Sequence, residues 1–171
     1  MSDGLLIHRS RIGKTMTDEK PISGVRFGHV NVIAEDWRSL ADFYTRVFGC
    51  EFVPPERNYE GQDLSRGTAV ADAALSGVHL RLPGHGENGP TIEIYQYRKS
   101  EPRSPSVANR LGFAHIAFQV DDVPAAREAV LAAGGQPVGE IVTLTTAAGG
   151  RVTWCYVADP ESNMIELQAW S

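Results

Sequence analysis

Four residues of this 171-residue chain have the types and the placing to share one piece of chemistry: His29, Glu93, His115 and Glu166. Imidazole nitrogens and carboxylate oxygens bind divalent first-row metals, and two of each leave coordination positions open for water or substrate. Glu93 stands between Ile92 and Ile94, and Glu166 between Ile165 and Leu167. A carboxylate among such neighbours is costly to bury unless its charge is met. A metal would meet it. One histidine on a strand is ordinarily a core or surface residue, and one glutamate on a strand ordinarily marks an exposed edge. Four such residues at matching places in two copies of one pattern are harder to assign to chance.

The two copies are visible in the sequence. "FGHVNVIAEDW", from Phe27, matches "FAHIAFQVDDV", from Phe113, in its Phe, small residue, His, apolar run and acidic pair. "TIEIYQY", from Thr91, matches "MIELQAW", from Met164. The first pair of landmarks is 86 residues apart and the second 73, so the second copy is shorter, a difference expected in loops. Two copies fit a duplicated supersecondary unit that buries its apolar face against its twin.

Each copy predicts β-α-β-β-β. "FGHVNVI" reads as a strand. Asp36 caps a helix whose Leu40, Phe43, Tyr44, Val47 and Phe48 form one apolar stripe, and Gly49 ends it. In the second copy Asp121 or Asp122 caps, Pro124 fits the first turn, and Gly134-Gly135 stops the helix. "GVHLRLP" and "TIEIYQY" then read as strands, as do "EIVTLTT", "RVTWCYV" and "MIELQAW". The expected organisation is a mobile polar tail over 1–22, a first module over 23–97, a proline-bearing linker over 98–110 and a second module over 111–171. Strand alternation puts His29, Asn31 and Ile33 on one side, and likewise His115, Ala117 and Gln119; Glu93, Tyr95 and Tyr97; Glu166, Gln168 and Trp170. The apolar rows face the helices, so these rows face elsewhere, into a hollow. His79 and Arg81 occur in one copy only and read as pocket walls or, at least as well, as a solvated strand face.

Composition sets the outer bounds. A formal charge of −5 with no basic stripe argues against nucleic acid as a partner. No apolar run reaches the length of a membrane span, and the start lacks a signal-peptide pattern, so a cytoplasmic location is expected. Cys50 and Cys155 form neither a CxxC knuckle nor a disulfide framework and read as buried free thiols.

"FGHVNV", "TIEIYQ", "FAHIAFQVDD" and "YVADPESNMIELQ" together resemble the vicinal oxygen chelate superfamily, over residues 24–170. That superfamily includes glyoxalase I, bleomycin resistance proteins, methylmalonyl-CoA epimerase, extradiol dioxygenases and fosfomycin-resistance transferases. The resemblance implies an α+β fold in which two βαβββ modules form a curved mixed β-sheet around a central metal site. It carries metal-ligand roles onto His29, Glu93, His115 and Glu166, with Ni, Co, Mn, Fe or Zn as the divalent ion. The full quartet is similar to that of bacterial glyoxalase I. The implied reaction is proton transfer next to a metal-chelated carbonyl through an enediolate, on a small molecule with vicinal oxygens. Glu166 is the implied base, with Glu93 as its mirror-image alternative, and a metal-held carboxylate must detach to act as one. Asn31, Tyr95, Gln119, Gln168 and Trp170 would line the substrate pocket. The alternatives on the same scaffold are an epimerase, a ring-cleaving dioxygenase, or a drug-binding protein without catalysis. The resemblance also allows a homodimer. One departure is plain: where the bacterial glyoxalases carry a glutathione-binding arginine, four residues past the first ligand, this chain has Ile33, leaving Arg26, Arg81 or Arg151 to substitute.

Overall fold

A computed structural model describes residues 22–104 and 106–171. The expected tail, all but its last residue, lies outside the described residues. The first copy forms β1 (His29–Ile33), α1 (Trp37–Phe48), β2 (Glu51–Glu60), α2 (Gln62–Thr68), β3 (Ala74–Arg81) and β4 (Thr91–Tyr97). The second forms β5 (Ile116–Gln119), α3 (Val123–Ala132), β6 (Gln136–Pro137), β7 (Val142–Thr145), β8 (Arg151–Ala158) and β9 (Met164–Trp170). No described residue between 98 and 115 is in a helix or strand.

Hydrogen bonding divides the strands into two sheets, ordered β1-β4-β3-β2 and β5-β9-β8-β6, with β7 also on β8. Both are mixed: β1 runs parallel to β4 and β5 parallel to β9, while the remaining neighbours are antiparallel. A parallel neighbour needs a crossover, which α1 and α3 supply. β1, which carries His29, and β5, which follows His115, are edges of their sheets.

The helix signals act as expected. The Asp36 carboxylate accepts the amides of Arg38 and Ser39 at 3.0 and 3.2 Å, and Gly49 closes α1 at φ 67°. Asp122 is the cap of α3, accepting the Ala125 amide at 2.9 Å. Leu40, Phe43 and Tyr44 are buried, and Phe48 stacks on Phe118 of the second sheet with ring centroids 4.0 Å apart. One continuous core therefore runs through both copies, from Ile92 and Ile94 to Ile165 and Leu167. Each such buried side chain contributes about 1.5–3 kcal/mol. Cys50 and Cys155 are buried and unpaired, as expected.

Two elements differ from the sequence reading. The helix α2 was not anticipated. The strand β2 carries Pro54-Pro55, and its register against β3 slips between Val53 and Arg57. Prolines are tolerated there because β2 is an edge strand with an irregularity at that point. In the second copy the short β6 and β7 together stand where β2 stands in the first.

The turn "ADPESN" does more than join β8 to β9. Asp159, fully buried, accepts the Tyr44 hydroxyl at 3.1 Å, the Glu161 and Asn163 amides, and the Asn163 side chain. Glu161 accepts the amides of Glu35 and Asp36 at 2.8 and 2.9 Å, and Arg103 donates to Glu161 and Asn163. The second copy thus holds the end of β1 and the start of α1. Burial raises the Asp159 carboxyl above its ordinary range, with these hydrogen bonds opposing it.

Candidate metal and active site

Register decides which side chains meet. Asn31 lies opposite Glu93 in the β1–β4 pair, and His79 lies opposite Glu93 in the β3–β4 pair. Residues directly opposite share a face, so Asn31, Glu93 and His79 share one, with His29 diagonal to Glu93. The His29 Nε2 stands 3.5 Å from Glu93 Oε2, and the His79 Nε2 stands 3.1 Å from Glu93 Oε1. In the second sheet Glu166 lies opposite Ala117 on β5 and Tyr156 on β8. His115, two residues before Ala117, brings its Nε2 to 2.9 Å from Glu166 Oε2. The carboxylates are the sheltered partners, with Glu93 13% and Glu166 18% exposed, while His29 is 53% exposed.

The structure brings each histidine of the predicted quartet to the glutamate of its own copy. It does not gather the four at one point: among the described residues no three His, Cys, Asp or Glu side chains are grouped to hold an ion. β1 and the segment before β5 line one cavity, in which His115 is the member of the quartet present. A cavity of about 190 Å³ is lined by Val30–Ile33 on one side and by Phe113–Ile116, His115 included, on the other, with Tyr44 and Met164 below. In chemical type, two imidazoles and two carboxylates suit a divalent first-row ion. Ligand atoms about 2.1 Å from an ion and about 90–110° apart at it lie about 3.0–3.4 Å from each other. The pairs, at 3.5 and 2.9 Å, fall just above and just below that range.

The expected pocket residues are distributed over both sheets. Asn31 Nδ2 donates to the Glu93 carbonyl at 3.4 Å. Gln168 Oε1 accepts the Trp170 indole N–H at 3.1 Å, and Gln119 pairs with Gln168 in register. The Tyr95 hydroxyl lies 2.8 Å from His79 Nε2, and burial pushes its pKa up to about 12, helped by the Glu93 charge. Burial also lowers the His79 imidazole, against the pull of Glu93. Arg81, one of the arginines considered for an anionic group, is held by Glu51 at 2.9 Å.

His79, for which the sequence allows a pocket wall as well as a solvated strand face, has a side chain 23% exposed with its Nε2 3.1 Å from Glu93. The signal was available. "LPGHGENGP" closes a hairpin about Gly86, and reading the strands outward from it sets Arg81 opposite Thr91 and His79 opposite Glu93.

The sequence pattern of the Glyoxalase/Bleomycin resistance protein/Dioxygenase superfamily matches residues 26–167. The chain belongs to that superfamily. A glyoxalase family protein from Bacillus cereus has the same fold, with a TM-score of 0.73 at 20% identity, covering 91% of this chain and 98% of that one. An integron cassette protein from the Vibrio cholerae mobile metagenome shares it at a TM-score of 0.52 and 24% identity, covering 88% and 98%. In sequence, a probable lactoylglutathione lyase of Vibrio parahaemolyticus serotype O3:K6 is 29% identical over 149 residues, 85% of this chain and 91% of that protein. The superfamily's α+β fold is therefore present here. No helix among the described residues is long and apolar enough to cross a membrane.

Proposed function

We propose that this chain is a divalent-metal-dependent lyase or isomerase of the glyoxalase I type, acting on a small molecule with vicinal oxygens. The observation that carries the reading is the doubled His–Glu pair, 29 with 93 and 115 with 166, at 3.5 and 2.9 Å in mirrored places of the two sheets. The relative named as a probable lactoylglutathione lyase supports the same reaction class. His29, Glu93, His115 and Glu166 would hold the ion, whose chemistry is Lewis-acid polarisation of a substrate carbonyl.

The chain's own residues supply the proton transfer. Glu166 accepts the proton from the carbon beside the carbonyl, leaving an enediolate, and returns it to the neighbouring carbon, so the net change is an isomerisation. His115, 2.9 Å away, is the ligand of that copy that would remain when the carboxylate acts as base. Asn31, Tyr95, Gln119, Gln168 and Trp170 form the walls of the two sheet faces and orient the substrate.

The test is metal analysis of the purified protein followed by a hemithioacetal-isomerase assay with several thiols and solvent-deuterium incorporation. The expected result is one divalent ion per site and turnover with label exchange. Bound iron with oxygen uptake on catechols would instead mark the ring-cleaving alternative, and label exchange into an acyl-CoA the epimerase. Metal-free protein that binds an aromatic drug stoichiometrically would overturn the catalytic reading.

A further inference from the structure

We propose that Arg57 anchors an anion subsite on the first sheet, which takes a carboxylate or phosphate group of the substrate. The subsite stands on the geometry of that sheet alone. That the anion belongs to the substrate rests on the function proposed above.

Arg57 reaches its face through an irregularity. Val53 lies opposite His79 and Arg57 opposite Gly77, so an advance of four residues on β2 matches two on β3, with Pro54-Pro55 in the difference. Such a bulge re-aims the side chains that follow it. Glu56, the residue before, is tied to Arg38 of α1 at 2.9 Å, on the helix side of the sheet. Alternation turns Arg57 to the opposite side, which carries His79, Glu93 and Tyr95. Its row across the strands is Arg57, Gly77, Tyr95. The middle of that row is bare: a Cβ on Gly77 would collide with the Ile94 carbonyl oxygen and stand 2.5 Å from Tyr95 Cδ1. No side chain therefore stands between the guanidinium stem and the Tyr95 ring. Burial raises the Tyr95 phenol and lowers the His79 imidazole, and the Arg57 charge lowers both, as a cation near the two rings must.

This cation lacks a counter-charge. Seven other arginines pair with a carboxylate, Arg81 of the same face with Glu51 among them. Arg26, Arg110 and Arg151 have no such partner among the described residues, and they are exposed. Arg57 has none there either, yet it is partly buried, and its hydrogen bond within the chain is a long one, 3.4 Å from Nη1 to the Val53 carbonyl. A guanidinium drawn from water without a counter-charge is costly, and its planar N–H donors suit a carboxylate or phosphate held by two parallel bonds. β3 and β8 match end to end, so the mirrored row of the second sheet is Val142, Trp154, Gln168, without a cation. The subsite is thus built in one module only and gives an anionic substrate a single orientation.

The test has two arms. In the first, lactate and inorganic phosphate are titrated into the purified chain and the arginine side-chain N–H signals are followed by NMR. Saturable binding that moves the Arg57 signal is expected, and the anion that does so tells a carboxylate site from a phosphate site. Arg57→Met is expected to weaken binding about tenfold or more, and Arg57→Lys, which keeps the charge without the planar donors, to weaken it less. No saturable binding in the wild type, or equal binding in Arg57→Met, would overturn the subsite. In the second arm, turnover is compared for hemithioacetals of one 2-oxoaldehyde with an anionic thiol, mercaptoacetate, and a neutral one, 2-mercaptoethanol. A kcat/KM about tenfold higher for the anionic compound is expected, with the difference in KM and lost in Arg57→Met. A preference that survives in Arg57→Met would overturn the role of the anion in substrate binding. A wild type that turns over neither compound would sink the proposed function, while the first arm still decides the subsite.

Discussion

The two modules place a glutamate at the same point of the same sheet and then surround it differently. Glu93 lies between two imidazoles, one of them hydrogen-bonded to Tyr95, whereas Glu166 has His115 beside it and Tyr156 opposite it on β8. Duplication supplies a symmetric pair of His–Glu contacts, and the strand beside each glutamate makes the pair unequal. The difference teaches that the symmetry was broken from a neighbouring strand, at positions 77 and 79 against 154 and 156, while the four metal-ligand candidates kept their types.

The widest separation between the modules should appear in turnover. Glu166→Gln is expected to lower kcat about 10³-fold while the ion is retained, because the base is lost and one coordinating oxygen remains. Glu93→Gln is expected to weaken metal binding more and to regain much of its turnover when excess metal is supplied. Full activity in Glu166→Gln would exclude it as the base, and a mirror-image outcome would assign the base to Glu93.

A smaller effect is expected in stability. Gly77→Ala would press a methyl group onto the Ile94 carbonyl and the Tyr95 ring. We expect a loss of about 2–3 kcal/mol in denaturant unfolding. An unchanged unfolding midpoint would show that the Tyr95 ring does not depend on a bare backbone at that place.

How much of this was legible depends on whether the signal was local or paired. The helices were legible, since Asp36, Gly49, Asp122 and Pro124 act within a few residues of themselves. So were the His–Glu pairs, because the copies repeat them and strand alternation fixes their face. β2 was hidden: Pro54-Pro55 argues against a strand unless the chain is known to be at a sheet edge with a slipped register. The role of Glu161 and Asp159 was also hidden, since their partners Glu35, Asp36 and Tyr44 are more than a hundred residues away and no periodicity reports such a meeting. His79 falls between these cases. Its partner is close in sequence, but only the hairpin register reveals it.

The modules should also differ in their response to alkali. Burial pushes Cys50 up to about 12 from 9.0 and Tyr95 up to about 12 from 10.0, and it raises Tyr44 well above 10.0, with the Asp159 charge adding to the effect. All three belong to the first module. A group whose pKa is raised on folding contributes stability that is complete below its unfolded value and is lost as pH rises toward the folded one. Stability is therefore expected to hold up to about pH 9 and to fall beyond it, by about 1.4 kcal/mol per pH unit for each group titrating in the unfolded chain alone. Tyr44→Phe removes one such group together with its hydrogen bond to Asp159. At neutral pH it should cost about 1 kcal/mol. Above about pH 10 its stability should fall less steeply than that of the wild type, so that the two curves approach and cross. Tyr156→Phe, at a less buried phenol in the second module, should change the slope less. Chemical denaturation from pH 7 to 11 measures both, and an alkaline slope in Tyr44→Phe equal to that of the wild type would mean that the phenol at the junction of the modules is not the group that fails.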